Sequence, residues 1–146
     1  MSPPPFTPLL LRGTALLLAV LTLLTLQSGA GIFAKEKIVY LAGSGALGVA
    51  TLLFFGQLVI IAPIAVWRLW RRRPVWMRVA TVLFGCGTAY FVALGIASSR
   101  AGMYWGLALY YLFGNIAGLC VGIFFIAVTC ATRRHSLGGA KIGPKN

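Results

Sequence analysis

Residues 103–132 read MYWGLALYYLFGNIAGLCVGIFFIAVTCAT, a run of apolar and small residues without a charge, and Arg133 and Arg134 follow at once. A helix rises about 1.5 Å per residue, so roughly 20 apolar residues cross the hydrocarbon core of a bilayer. This run is therefore long enough to span a membrane. Its glycines recur at helical spacing on one face, where a second backbone can approach closely: Gly106, Gly114, Gly118 and Gly122.

Three further stretches that are almost free of charge precede this run. We predict membrane spans at about 13–34, 39–66 and 78–98, in addition to 103–132. The composition agrees, since 60% of the 146 residues are hydrophobic and 10% are charged, against about 25% charged in an ordinary soluble domain. The predicted fold is an all-α integral membrane protein, a single domain over 1–146 with four transmembrane helices and short hairpin loops.

Positive charge is concentrated between the second and third spans and after the fourth. The inner loop 67–78 and the tail 133–146 contain seven arginines that we expect at a membrane surface: Arg68, Arg71, Arg72, Arg73, Arg78, Arg133 and Arg134. Because Lys and Arg near span ends stay on the cytoplasmic or matrix side, we predict that both termini are inside. These arginines either bind anionic phospholipid headgroups, such as cardiolipin, or an acidic subunit, or serve only to set the topology.

The third span has a small-residue pattern of its own. Gly85, Ala89, Ala93 and Ala97 follow one another at every fourth position, which makes a nearly flat stripe on a helix. Such a stripe serves packing within a four-helix bundle or docking to a helix of another protein.

Polar side chains at membrane depth are few. Gln57 lies midway along the second span and Asn115 lies in the fourth, and we expect them to form an internal pair. Together with Thr88 they could instead line a path for a neutral solute. The polar positions are separated by Leu, Phe and Gly, which favours hydrogen bonding between helices over a continuous path.

The sequence lacks most residue types that catalysis, haem binding or proton translocation inside a membrane requires. The sequence has no Asp, and its one carboxylate side chain, Glu36, lies between Lys35 and Lys37 in a predicted outer loop. Sites for proton translocation depend on a carboxylate within the membrane. The single histidine, His135, follows the last span, so this chain cannot supply haem ligands inside the bundle. We therefore expect no enzyme activity, and no catalytic, metal-binding or cofactor-binding residues.

These observations favour a non-catalytic accessory subunit of a larger integral membrane complex. The expected host is an energy-transducing assembly, of respiratory or ATP synthase type, in a mitochondrial or bacterial inner membrane. Expected partners are other integral membrane subunits and membrane lipids, with no nucleic acid and no soluble small-molecule substrate. The alternatives are a small oligomeric transporter or channel for a neutral solute, and a freestanding tetraspan that organises the bilayer.

The last alternative has a parallel in outline. Four spans with both termini inside, with Arg12 at the opening of the first span, resemble the MARVEL-type tetraspans. The resemblance covers topology alone, because the loops near 35–37 and 99–100 are short and the Asp that plant relatives have in a later span is absent.

Overall fold

A computed structural model describes residues 5–30, 34–100 and 106–139. In these ranges the chain forms five helices: α1 (Thr7–Ser28), α2 (Lys35–Gly43), α3 (Ala46–Trp70), α4 (Trp76–Arg100) and α5 (Gly106–Gly139). Four of them, all except α2, are long and apolar enough to cross a membrane, and the described residues form no strand. The prediction of an all-helical, multi-pass membrane protein with four spanning helices is confirmed.

The first helix begins earlier than predicted. It starts at Thr7 rather than near residue 13, with a proline in its first turn, where the missing N–H of Pro8 leaves no helical hydrogen bond unmade. It ends at Ser28, and the N–H of Gly29 donates to the carbonyl of Thr25. Arg12 consequently lies inside α1, in its second turn, rather than just before it.

The predicted second span, 39–66, is divided in the structure. The break falls at Ser44–Gly45, between α2 and α3. Gly45 adopts φ 100°, a conformation that favours glycine. A Cβ on Gly48 would overlap the carbonyl oxygen of Leu41 and the Oγ of Ser44. The two glycines thus let the chain turn sharply, and α3 then runs through Pro63 to Trp70.

The basic segments are more helical than predicted. The loop assigned to 67–78 is reduced to residues 71–75, because α3 continues to Trp70 and α4 begins at Trp76. The first part of the predicted tail 133–146 continues α5, whose 34 residues end at Gly139; residues 140–146 lie outside the described part of the chain. A helix of that length measures about 50 Å, more than the roughly 30 Å of hydrocarbon.

The long helices pack in antiparallel pairs. Gly118 of α5 faces Phe84 of α4, and Gly122, one turn later, faces Thr81, one turn earlier. Tyr111 near the start of α5 hydrogen-bonds to Ser28 at the end of α1. The start of α1, the loop between α3 and α4 and the end of α5 therefore lie at one end of the bundle, which we call the basic end. α2 lies at the opposite end.

The largest fully buried side chains come from three helices, α1, α3 and α4: Leu11, Leu69, Met77 and Phe84. Lipid chains are as apolar as these side chains, so burial from lipid supplies little driving force. Close van der Waals packing and hydrogen bonds between helices stabilise the bundle instead.

Candidate helix-packing and lipid sites

The small residues in the middle of α5, here called the α5 stripe (Gly114, Gly118 and Gly122), face the inside of the bundle. A Cβ on Gly114 would lie 2.6 Å from the Cδ2 of Leu21 on α1, and one on Gly118 would lie 2.5 Å from the ring of Phe84 on α4. One on Gly122 would overlap the hydroxyl of Thr81. The α5 stripe is therefore filled by side chains of this same chain. The surroundings of Gly106 lie outside the described residues.

The corresponding residues of α4, the α4 stripe (Gly85, Ala89, Ala93 and Ala97), are arranged differently. Gly85 is half-buried, and a Cβ there would meet the Cδ1 of Leu119 at an ordinary 3.7 Å. Ala89 and Ala93 are exposed on the outer surface of the bundle, and Ala97 is half-buried. The middle of the α4 stripe is thus not used to pack this bundle.

The outer surfaces of α1 and α3 have large side chains where α4 has small ones. On α4, the exposed positions between Val82 and Ile96 are mainly small: Cys86, Ala89 and Ala93 share the face, with Val92 beside them. The exposed residues of α1 and α3 are bulky aliphatic residues suited to lipid contact: Leu9, Leu16, Val20, Leu23, Leu24, Leu53, Val59, Ile60, Ile61 and Ile64. The outer face of α4 is therefore shallower than the outer faces of α1 and α3, and α5 also exposes small residues at Ala117, Cys120 and Ala127.

An aromatic cluster, which the sequence analysis missed, joins α3, α4 and α5: Phe54, Phe55, Tyr90, Phe91 and Tyr111. Phe54 stacks on Tyr90 with ring centroids 4.3 Å apart, and Phe91 stacks on Tyr111 at 5.4 Å. Phe54 also meets Phe91 edge-on at 5.7 Å. Such offset and edge-on arrangements are the ones that aromatic rings prefer.

Hydroxyl groups connect this aromatic cluster to the ends of two helices. The hydroxyl of Tyr111 donates to the carbonyl of Leu24 at 3.1 Å and shares a 2.6 Å hydrogen bond with the hydroxyl of Ser28, both on α1. The hydroxyl of Tyr90 shares a 3.2 Å hydrogen bond with Thr51 of α3. A signal was present in the sequence, because Tyr90 and Tyr111 are polar aromatic residues well inside apolar runs.

The predicted internal pair of Gln57 and Asn115 does not form. The Nδ2 of Asn115 donates to the carbonyl of Tyr111, one turn earlier on its own helix, at 2.7 Å. Its Oδ1 lies against Gly87 of α4, where only a glycine leaves room. Gln57 is half-buried on α3 and makes no hydrogen bond to Asn115 in the described part of the chain. Asn115 therefore joins α5 to α4.

The remaining polar groups of the interior are separate rather than continuous. The hydroxyl of Thr88, the third predicted path residue, donates to the carbonyl of Phe84 on its own helix at 2.8 Å. The hydroxyls of Thr14 and Thr22 on α1 are buried without a hydrogen-bond partner among the described residues. Hydroxyls that bond within their own helix, or not at all, do not make a connected path.

At the basic end, arginine side chains lie over tryptophan rings. The guanidinium carbon of Arg12 is 5.5 Å from the ring centroid of Trp70, so α1 contacts the end of α3. Arg68 lies 5.9 Å from the ring of Trp76 and links α3 to α4. A cation over an aromatic face is attracted by the ring quadrupole.

Other arginines at this end are exposed as well. Arg71 lies over Trp67, one turn away on α3, at 4.6 Å. Arg72 adopts φ 58°, a region that a residue with a side chain rarely occupies. The remaining predicted headgroup residues are exposed at this end: Arg73, Arg78, Arg133 and Arg134.

The cysteines and the histidine do not come together in a binding site in the described part of the chain. Cys86, Cys120 and Cys130 are unpaired and exposed. An open depression beside Cys130 and His135 is lined by residues of α5 alone. In the part of the chain that the structure describes, no group of three His, Cys, Asp or Glu side chains could hold a metal ion.

Comparison of the chain with known protein families, with curated proteins and with solved structures gave no match.

Proposed function

We propose that this chain is a non-catalytic structural subunit of a larger integral membrane complex and that it associates with its partners through the outer face of α4. The observation that carries this proposal is the exposure of Ala89 and Ala93 at the centre of the α4 stripe. The α5 stripe has the same spacing but is filled from within by Leu21, Phe84 and Thr81. The centre of the α4 stripe, at Ala89 and Ala93, is exposed instead.

Small residues on the surface of a membrane helix favour its association with another helix. Helices associate in lipid through van der Waals contact, and small side chains let two backbones approach closely enough to make many such contacts. A face that only meets lipid gains nothing from small residues, and the outer faces of α1 and α3 indeed have bulky ones. A strip formed by Cys86, Ala89 and Ala93 suits the close approach of a helix from another subunit.

The interior of the bundle favours a structural role over solute transport. Rings of Phe54, Tyr90 and Phe91 occupy the contact between α3 and α4. Asn115 and Thr88, which a transport path would need free, are hydrogen-bonded to carbonyls of their own helices. A path for a neutral solute would require these rings to move apart.

The proposal extends to orientation and location. With the basic end on the cytoplasmic or matrix side, both termini are inside, as the bias of Lys and Arg requires. The net charge of +12 suits a membrane rich in anionic phospholipid such as cardiolipin. We therefore place the host complex among the energy-transducing assemblies, of respiratory or ATP synthase type, of a mitochondrial or bacterial inner membrane.

Native electrophoresis tests the proposal. The membrane that contains this chain is extracted in a gentle detergent, and the components that migrate with the chain are identified by mass spectrometry. Stoichiometric migration with a large complex is the expected result, and the identity of that complex would test the proposed location. Migration as a small homo-oligomer would contradict the proposal, and solute-flux assays on Gln57→Ala and Asn115→Ala would then follow.

A further inference from the structure

We propose that Ser136, near the end of α5, is phosphorylated by a serine/threonine protein kinase of the class that recognises arginines before the acceptor residue. The proposal rests on the proposed function in one respect, which is that the basic end faces the cytoplasm or matrix, where ATP is present. It concerns a segment of α5 that lies beyond the packed part of the bundle.

The sequence around Ser136 has the pattern that such kinases recognise. Arg133 and Arg134 stand three and two residues before the serine, and Leu137 follows it. Kinases of this class bind the two guanidinium groups with carboxylates of their own and hold an apolar residue after the acceptor in a pocket. No other serine or threonine of the sequence follows two arginines at this spacing.

The acceptor and the residues around it are accessible to a soluble enzyme. The last buried residue of α5 is Phe125, and every residue from 130 to 139 is exposed. Leu137 is 70% exposed, which is unusual for a leucine unless a partner binds it. A helix rises about 16 Å between positions 125 and 136, so Ser136 stands clear of the bundle.

The end of α5 can open to fit a kinase, which binds its acceptor segment in an extended conformation. In the helix the hydroxyl of Ser136 donates to the carbonyl of Arg133 at 3.1 Å. Two glycines, Gly138 and Gly139, end the helix, and glycine is the poorest helix former after proline. Because these exposed residues bury little surface against the bundle, the last turns of α5 unwind at low cost.

The two arginines are also free of competing carboxylates. The only carboxylate side chain of the sequence, Glu36, lies on α2 at the opposite end of the bundle. No carboxylate side chain of this chain therefore pairs with Arg133 or Arg134. Their guanidinium groups are available to the carboxylates of a kinase.

The reaction transfers the γ-phosphoryl group of ATP to the Oγ of Ser136. The bond between the γ-phosphorus and the bridging oxygen of ADP breaks, a bond from phosphorus to Oγ forms, and the hydroxyl proton passes to a carboxylate of the kinase. The phosphate adds about two negative charges. The tail 133–146 has four basic side chains and no acidic one, so its net side-chain charge falls to about half.

The test incubates the purified full chain, in detergent micelles, with ATP, Mg²⁺ and a purified kinase that requires arginines before its acceptor. Trypsin cuts after Arg134 and Lys141, and the peptide 135–141 contains Ser136 as its only hydroxyl-bearing residue. We expect mass spectrometry to find one phosphate, on this peptide. Arg133→Gln should lower kcat/KM about tenfold, because it removes one charge-assisted contact with the kinase. The matched control Arg78→Gln, which removes an arginine elsewhere at the basic end, should leave kcat/KM unchanged.

Three outcomes would overturn the proposal. The first is the absence of phosphate from the peptide 135–141. The second is an equal kcat/KM for Arg133→Gln and the wild type, since exposure alone would then decide. The third is equal modification of Thr132, which is exposed on the same helix but follows no arginine. Arg133 is exposed beyond the packed bundle, so Arg133→Gln leaves the fold intact.

A second measurement uses the chain in its native membrane, prepared with phosphatase inhibitors. The phosphorylated form of the peptide 135–141 is expected, and treatment with a phosphatase should remove it. Its absence would contradict the proposal. Neither experiment involves a protein partner, so both can fail while co-migration with a complex succeeds, and both can succeed while co-migration fails.

Discussion

The α5 stripe and the α4 stripe have nearly the same sequence pattern and opposite positions in the bundle. Gly118 of the α5 stripe lies under the fully buried ring of Phe84, whereas Ala93 of the α4 stripe is exposed. The spacing of small residues thus indicates that another helix can approach closely, but it does not indicate which helix does so. The difference comes from the neighbouring helices, which supply Leu21, Phe84 and Thr81 to the α5 stripe, whereas Ala89 and Ala93 at the centre of the α4 stripe are exposed.

The largest expected effect follows from placing a bulky residue in the α5 stripe. Gly118→Leu forces a side chain into the ring of Phe84, which is 0% exposed and cannot move aside. We expect a loss of about 3 kcal/mol in the free energy of unfolding, at the upper end for overpacked cores. Denaturation in mixed detergent micelles measures it. A small loss, under about 0.5 kcal/mol, would mean that the α5 stripe is not packed against α4.

A smaller effect is expected where the neighbour can adjust. In Gly114→Ala the new methyl group meets the half-buried side chain of Leu21, whose end can change rotamer. The expected loss of stability is about 1 kcal/mol, as for mild overpacking. The same denaturation assay compares it with Gly118→Ala, which should cost more. The reverse order would show that Leu21, and not Phe84, is the rigid side of the α5 stripe.

The next prediction concerns the aromatic cluster beside the α5 stripe. Tyr111→Phe removes the hydroxyl that bonds to Leu24 and Ser28, while the ring that stacks on Phe91 stays. We expect a loss of about 0.6 kcal/mol, the average for a hydrogen bond between membrane helices. Tyr110→Phe is the matched control, since Tyr110 is 79% exposed. Equal effects of the two variants would contradict the assigned role of Tyr111.

The smallest effect on stability is expected in the α4 stripe. Ala93→Leu places a bulky side chain on the outer surface, so the free energy of unfolding should change by less than about 0.5 kcal/mol. The same variant should lose association with the host complex in native electrophoresis. A matched control is Val59→Leu on α3, which enlarges a residue that is already bulky and 47% exposed. If Ala93→Leu still associates with the complex, the α4 stripe does not contact a partner subunit and does not differ in function from a lipid-facing surface.

Much of the fold could be predicted from the sequence, because length and hydropathy determine whether a helix spans a bilayer. The four spanning helices were predicted in this way. Their ends were predicted less well, since local chemistry decides them. Pro8 allows α1 to start early, and Gly45 with its positive φ divides the second apolar run. A proline and a GSG sequence mark these points, but hydrophobic periodicity alone does not predict that a helix begins or ends there.

The site was harder to predict because it depends on contacts between residues far apart in the sequence. Gln57 and Asn115 looked like a pair because both are isolated amides, but Asn115 has a nearer acceptor in the carbonyl of Tyr111. Arg12 was taken for the boundary of a span, and its contact with Trp70 depends on how α1 packs against α3. No pattern within one helix contains that information.

The central claim is that the centre of the α4 stripe contacts another polypeptide, and site-specific photo-crosslinking in native membranes tests it most directly. A photo-reactive amino acid is introduced at Ala93 and, in a parallel sample, at Leu53, which is 70% exposed on the bulky face of α3. The proposal predicts a discrete protein adduct from position 93 and lipid adducts alone from position 53. Lipid adducts alone from both positions would contradict it.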